Sequence, residues 1–274
     1  MAGPGIPVQL RDRPTITGAV LHAVSNSSTE TSQSTAAFLC RGESMKRYDV
    51  VYILRADVKP DELRYSLRSI EANMTHGKVW FFCGCPDGIV PDEHVRMVQA
   101  GLNKWERVRN TLIRVCKTDG VSDKFWLFND DFFVLRRMTR TVPLHRGELR
   151  DHIKGIEARH GRPSGYSRRL GLCEKRLRDA GLTTLDYALH VPMLIDKAKG
   201  LEALQKFPDC PMFRSLYGNY AKIGGELYED VKTTDPDKII PEDALFFSTS
   251  NKSFAGRVRE QLEQRFPEPC RYER

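Results

Sequence analysis

Three short apolar runs, each too short for a helix and each followed by a helical pattern, constrain this chain more than anything else in its sequence. They are Tyr48–Leu54, Lys78–Cys83 and Phe125–Phe128. Nearly continuous apolar runs of this length suit strands buried on both faces, as in a parallel sheet. After the first run Pro60 marks a helix start, and Leu63, Leu67, Ile70 and Met74 recur at helical spacing. Before the third, Trp105, Val108, Leu112 and Val115 form another helical face. This β-α-β-α-β rhythm predicts an α/β fold built on a doubly wound, mostly parallel sheet with a helical C-terminal part. Further on, the pattern predicts a basic helical insertion over 145–185, helices near 193–206 and 214–230, and a short strand at Leu245–Ser248. A last helix from Ser253 carries Phe254, Val258 and Leu262 on one face.

Residues 1–44 read differently. Ser25–Thr35 is a polar tract without periodicity, the composition of a disordered segment. Structured sequence starts abruptly after Met45, which predicts that 1–44 is a dispensable extension and that 45–274 forms one catalytic domain. No stretch approaches the roughly 18 apolar residues of a membrane helix, and no secretory signal opens the chain, so a cytoplasmic protein is expected. Seven cysteines, an odd number, fit reduced thiols better than a disulfide framework. Cys83 and Cys85 lack a second pair at zinc spacing, and are read as a strand end and a turn.

The net charge of +7 points to an anionic partner: a nucleotide, a phosphorylated glycan or nucleic acid. Arginines gather in 136–178, but no interleaved aromatic pattern accompanies them, so nucleic acid ranks below the other two.

Ligands of doubly wound sheets bind beyond the carboxyl ends of the strands, where Asn129-Asp130-Asp131 falls. Two adjacent carboxylates raise each other's pKa unless a cation neutralises them. Mg²⁺ or Mn²⁺ is a natural partner, since hard cations take oxygen ligands and bridge to diphosphate. Solvated turn carboxylates are the ordinary alternative.

Asn129-Asp130-Asp131 after a hydrophobic strand resembles the Asp-x-Asp metal site of glycosyltransferases with the GT-A fold. The wider sequence resembles the Stealth family, the bacterial capsular-polysaccharide phosphotransferases and the animal enzyme that places GlcNAc-1-phosphate on lysosomal glycans. Four blocks carry the resemblance in order. The first is Tyr48–Tyr52. The second opens with Asp61–Glu71 (DELRYSLRSIE) and closes with Phe125–Phe133 (FWLFNDDFF). The third is His190–Lys197 (HVPMLIDK) with Phe207-Pro208 and Phe213-Arg214-Ser215, and the fourth is Phe266–Glu273. Where the family's first block continues Thr-Trp-Val-Asp-Gly, this chain has Ile53-Leu54-Arg55-Ala56-Asp57.

The resemblance implies a metal-dependent transferase that uses a nucleotide-sugar donor and passes a sugar-1-phosphate to a glycan or other hydroxyl acceptor. It implies that Asn129, Asp130 and Asp131 hold the metal, that His190 is a base or a metal ligand, and that Arg214 neutralises phosphoryl charge. Arg64 and Arg68, one helical turn apart, either reach the donor phosphates or pair with Glu71. Asp49 and Asp57 are weaker donor-pocket candidates. Two alternatives stand beside this one: glycosyl transfer releasing a nucleoside diphosphate, with a glycan or modified-DNA acceptor, and a non-catalytic basic binding protein.

Overall fold

A five-stranded sheet organises residues 46–274, the part of the chain that the computed structural model describes. The expectations for residues 1–44, including the start at Met45, lie outside the described residues. The strands are β1 (Asp49–Leu54), β2 (Val79–Cys83), β3 (Glu93–Val95), β4 (Lys124–Phe128) and β7 (Met193–Asp196), in the order β3-β2-β1-β4-β7. The first four are parallel, with Tyr52 opposite Phe81 on β2 and Phe128 on β4. The expected α/β class with a mostly parallel central sheet is therefore observed.

The apolar runs are apolar because both faces of the sheet are covered. On one face Val50, Tyr52, Phe81 and Trp126 meet Leu63, Leu67 and Ile70 of α1 (Pro60–Asn73). On the other, Val51, Phe82, Phe125 and Leu127 meet Leu112 and Val115 of α2 (Lys104–Lys117). That second face also receives Leu204 of α5 (Lys197–Lys206) and Phe213 and Tyr217 of α6 (Phe213–Tyr220). Between β4 and β7 the chain adds β5 (Phe132–Val134), β6 (Leu144–His145), α3 (Leu149–His160) and α4 (Gly165–Asp179). Leu149, Ile156, Leu170, Cys173 and Leu177 of α3 and α4 share a core with Ala203 of α5 and Leu216 of α6.

Three sequence expectations need correction. Met193–Asp196, expected to open a helix, is a strand that pairs antiparallel with β4. It follows Pro192, which disfavours helical backbone before it, and alternates buried Met193 and Ile195 with half-buried Leu194 and Asp196. Asp196 then caps α5 by accepting from the Lys199 N–H at 3.1 Å. Helix α6 stops at Tyr220 and does not reach residue 230. Gly224 and Gly225 take φ of +59° and +129°, and a Cβ on Gly225 would lie 2.3 Å from the Pro143 carbonyl oxygen. The chain there enters β8 (Glu226–Leu227), which pairs with β6.

The C-terminal helix starts earlier than expected, as α7 (Asn251–Ser253), passes through a π-turn at Phe254–Val258, and continues as α8 (Arg259–Arg265). Phe254, Val258 and Leu262 are buried, with Tyr65, Phe133 and Phe247 among their cluster. Phe247 belongs to β9 (Phe246–Ser248), which pairs antiparallel with β5. No helix among the described residues is long and apolar enough to cross a membrane.

Candidate functional site

At the carboxyl ends of β1 and β4 the chain places charge where the sheet can no longer cover it. The backbones are tightly packed here: a Cβ on Gly84, just past β2, would lie 1.9 Å from the Arg55 carbonyl oxygen. Asn129, Asp130 and Asp131 form the turn between β4 and β5, anchored by buried Phe128 before it and Phe132 after it. Asn129 is exposed, Asp130 half-buried and Asp131 buried.

Asp131 sits unevenly in this turn. One oxygen, Oδ2, accepts a hydrogen bond from Lys232 Nζ at 2.6 Å. The other, Oδ1, is buried and has no hydrogen-bond partner among the described residues. Leaving a buried carboxylate oxygen unmet costs about 1–3 kcal/mol or more. Burial raises the pKa of Asp130, and the neighbouring charge of Asp131 adds to the rise. Glu62, in the first turn of α1, is likewise raised by burial and further by Asp131 and Asp130, although Thr249 donates to it at 2.7 Å. The charge of Asp131 therefore opposes the ionisation of Asp130 and Glu62, and the Lys232 ammonium bonds Asp131 alone.

His190 and Arg214 reach the same place through Phe132. The His190 ring meets the Phe132 ring edge-on at 6.2 Å, and the Arg214 guanidinium lies over that ring at 5.2 Å. His190 Nδ1 lies 3.0 Å from both carboxylate oxygens of Asp230, and its backbone N–H donates to the same group at 3.1 Å. Burial works against the charge on Asp230, but the bonds from His190 and the nearby Arg146 outweigh it and hold its pKa at about 2. Asp230 is thus an ionised acceptor, so neutral His190 carries its proton on Nδ1 and leaves Nε2 as a lone pair. Arg146 is itself fixed, donating to His152 Nε2 at 2.8 Å while His152 Nδ1 bonds buried Asp186 at 2.6 Å.

Arg214 donates to the carbonyls of Val191 at 2.7 Å and Leu127 at 3.3 Å. Burial lowers its pKa to about 10 against the pull of Asp131 and Asp230, so it remains a cation at neutral pH. It also lines a cavity of about 170 Å³ along β7, walled by Trp126, Leu144, Pro192, Leu194 and Tyr217.

No family model matches this chain, and no curated protein does either.

The remaining sequence candidates are held elsewhere. Asp49 lies at the amino end of β1, the opposite edge from the acidic turn. Its carboxylate accepts from the Lys78 N–H at 2.9 Å, Trp80 Nε1 at 3.0 Å and the Ser122 N–H at 3.0 Å. It ties three segments of backbone together and presents nothing to a ligand. Arg64 and Arg68 pair neither with Glu71 nor with the acidic turn. Both engage Glu273, Arg64 at 2.8 Å and Arg68 through two bonds of 2.6 and 2.8 Å, and Arg68 also donates to the Phe266 and Pro267 carbonyls. They clamp the C-terminal segment onto α1. Asp57 forms an exposed ion pair with Arg55 at 3.4 Å.

The sequence reading missed Asp230, Lys232, Arg146 and Glu62 as site residues. Glu62 was the most accessible of these, since it lies inside the Asp61–Glu71 block. Nothing local marks Asp230, which stands in a loop at the end of the span where a helix was expected, or Lys232 just beyond it.

Whether these groups fit a divalent ion turns on Asp131 Oδ1. Among the described residues no group of three or more His, Cys, Asp or Glu side chains is arranged to hold a metal ion by itself. Mg²⁺ and its analogues commonly take one or two carboxylates and complete their shell with water and substrate phosphate. An unpartnered, buried carboxylate oxygen with a second, half-buried carboxyl next to it in the chain fits that kind of partial site.

Proposed function

We propose that this chain is a GT-A-like, Stealth-type transferase that takes a sugar-1-phosphate from a nucleotide-sugar donor and passes it to a hydroxyl of a glycan acceptor. The observation that carries the reading is that a histidine oriented by a carboxylate and a fixed arginine meet at the Phe132 ring, the residue after Asp131, whose buried carboxylate keeps an open oxygen. Each of these is a group that phosphoryl transfer between oxygens needs.

In this reading Asp131 and Asp130, with Asn129 beside them, hold Mg²⁺ or Mn²⁺. The ion supplies charge neutralisation to the donor diphosphate when bound. His190 Nε2 takes the proton of the acceptor hydroxyl. Asp230 holds the ring in the tautomer that permits this and stabilises the imidazolium that results. The acceptor oxygen forms a bond to the β-phosphorus as the bond to the bridging oxygen breaks, and nucleoside monophosphate leaves with those electrons. Arg214 stabilises charge on the transferring phosphoryl group without moving, because two backbone carbonyls already fix it.

Glycosyl transfer uses the same base and the same ion, and differs in the bond that breaks. Incubation with a panel of nucleotide sugars, Mn²⁺ and glycan acceptors, with the released nucleotide identified, decides between them. Monophosphate release that Asp131→Ala abolishes is the expected result. Diphosphate release assigns glycosyl transfer. Absence of both turnover and donor binding refutes the transferase reading and favours a basic binding protein.

A further inference from the structure

Lys232 is the cation that answers the acidic turn in the structure, and its setting differs from that of an ordinary ion pair. Its backbone is pinned: Lys232 bridges to Ser248, the last residue of β9, and the next residue, Thr233, donates its N–H to the Ser248 carbonyl at 2.9 Å. Only the side chain is free to change place, and it is 27% exposed while its partner Asp131 is 13% exposed. The ammonium thus enters a buried acidic site from its open side.

The balance of charge is incomplete. Asp130, Asp131 and Glu62 bring three carboxylates, and the one ammonium bonds a single oxygen of one of them. Arg214 adds its charge only through space, since the two hydrogen bonds that hold it go to the Val191 and Leu127 carbonyls and not to an acid. Asp131 Oδ1 stays buried without a partner. The site thus combines an open, buried carboxylate oxygen with a second oxygen of the same group held by a partly exposed lysine side chain.

We propose that Lys232 is a built-in placeholder for the divalent ion, which it yields on metal arrival, its released ammonium then being available to the diphosphate that accompanies the metal. The proposal rests on the metal reading of Asp131 given above and adds a competitor to it. The exchange is a substitution of one cation for another at Asp131 Oδ2, with no bond made or broken in the chain. Because Lys232 and metal compete for one carboxylate, Lys232 lowers metal affinity in the absence of donor. It thereby ties tight metal binding to the presence of a second anion that can receive the ammonium.

The test is Mn²⁺ binding to the full chain without donor, followed by the electron paramagnetic resonance signal of free Mn²⁺, for wild type, Lys232→Met, Lys232→Gln and Asp131→Asn. Both neutral variants are expected to bind Mn²⁺ roughly tenfold or more tighter than wild type, within the usual range of coupling between ligands. Asp131→Asn is expected to lose the binding. A thermal melt supplies a second readout: in EDTA the neutral variants melt below wild type, and Mn²⁺ raises their melting temperature by more than it raises that of wild type. Equal affinity in wild type and both neutral variants, with binding lost in Asp131→Asn, overturns the placeholder and leaves the metal site standing. No Mn²⁺ binding in any of them overturns both.

Discussion

Asp49→Ala separates architecture from ligand binding at a residue for which the sequence suggested the latter. The change removes an acceptor that serves three donors, while the bond from the Asp49 backbone N–H to Ser122 Oγ remains. Trp80 Nε1 is fully enclosed with Asp49, and its lost partner costs about 2 kcal/mol. The Lys78 and Ser122 N–H groups are only partly enclosed, so water recovers some of the loss and each costs about 1 kcal/mol. The sum, about 4 kcal/mol, is a large share of the 5–15 kcal/mol typical of a folded domain. Urea unfolding followed by tryptophan fluorescence should show a lower midpoint with an unchanged slope. Donor affinity of the remaining folded protein should match wild type, because Asp49 stands at the opposite edge of the sheet from the acidic turn. An unaltered midpoint combined with lost donor binding would refute the reasoning and return Asp49 to the donor pocket.

Other consequences are open to test. His190→Ala should lower turnover roughly 10²–10⁴-fold, the usual contribution of a general base, with little change in melting temperature; an unchanged rate removes His190 from the chemistry. Asp230 has its folded pKa held at about 2, below its ordinary value near 3.8, so its stabilisation is complete above pH 4 and is lost as pH falls through 2. That contribution is about 2 kcal/mol, and Asp230→Asn should flatten the acid limb of a stability–pH profile by that amount. Arg68→Ala releases Glu273 and two C-terminal carbonyls from a site only 11% exposed, and should cost about 2 kcal/mol by urea unfolding while leaving donor affinity unchanged. Weakened donor binding at unchanged stability would restore Arg68 to the phosphates.

Local pattern was enough to find the sheet. Buried parallel strands must be apolar on both faces, and amphipathic helices must carry a periodic face, so β1, β2, β4, α1 and α2 are visible one segment at a time. The same logic located the acidic turn, because a strand that ends in Asn129-Asp130-Asp131 can place those groups only beyond its covered length. Pattern failed where a segment's role depends on what lies beside it. Met193–Asp196 has a composition that suits a helix or a strand, and the open edge of β4 decided in favour of a strand. Asp49 and Asp131 are both acids beside apolar strands. One is consumed by Lys78, Trp80 and Ser122 and the other keeps an open oxygen, a difference that no window of sequence contains.

The charged partners show the limit most plainly. Arg68 lies 205 positions from Glu273, and Asp131 lies 101 from Lys232. Electrostatic pairing acts through space and leaves no periodicity along the chain. Sequence alone therefore determined which strands and helices of the central sheet are buried and where the acidic turn falls, since those follow from neighbours within a few residues. The tertiary structure alone decided which acids are neutralised and which histidine is oriented, because those depend on loops brought together across the whole fold.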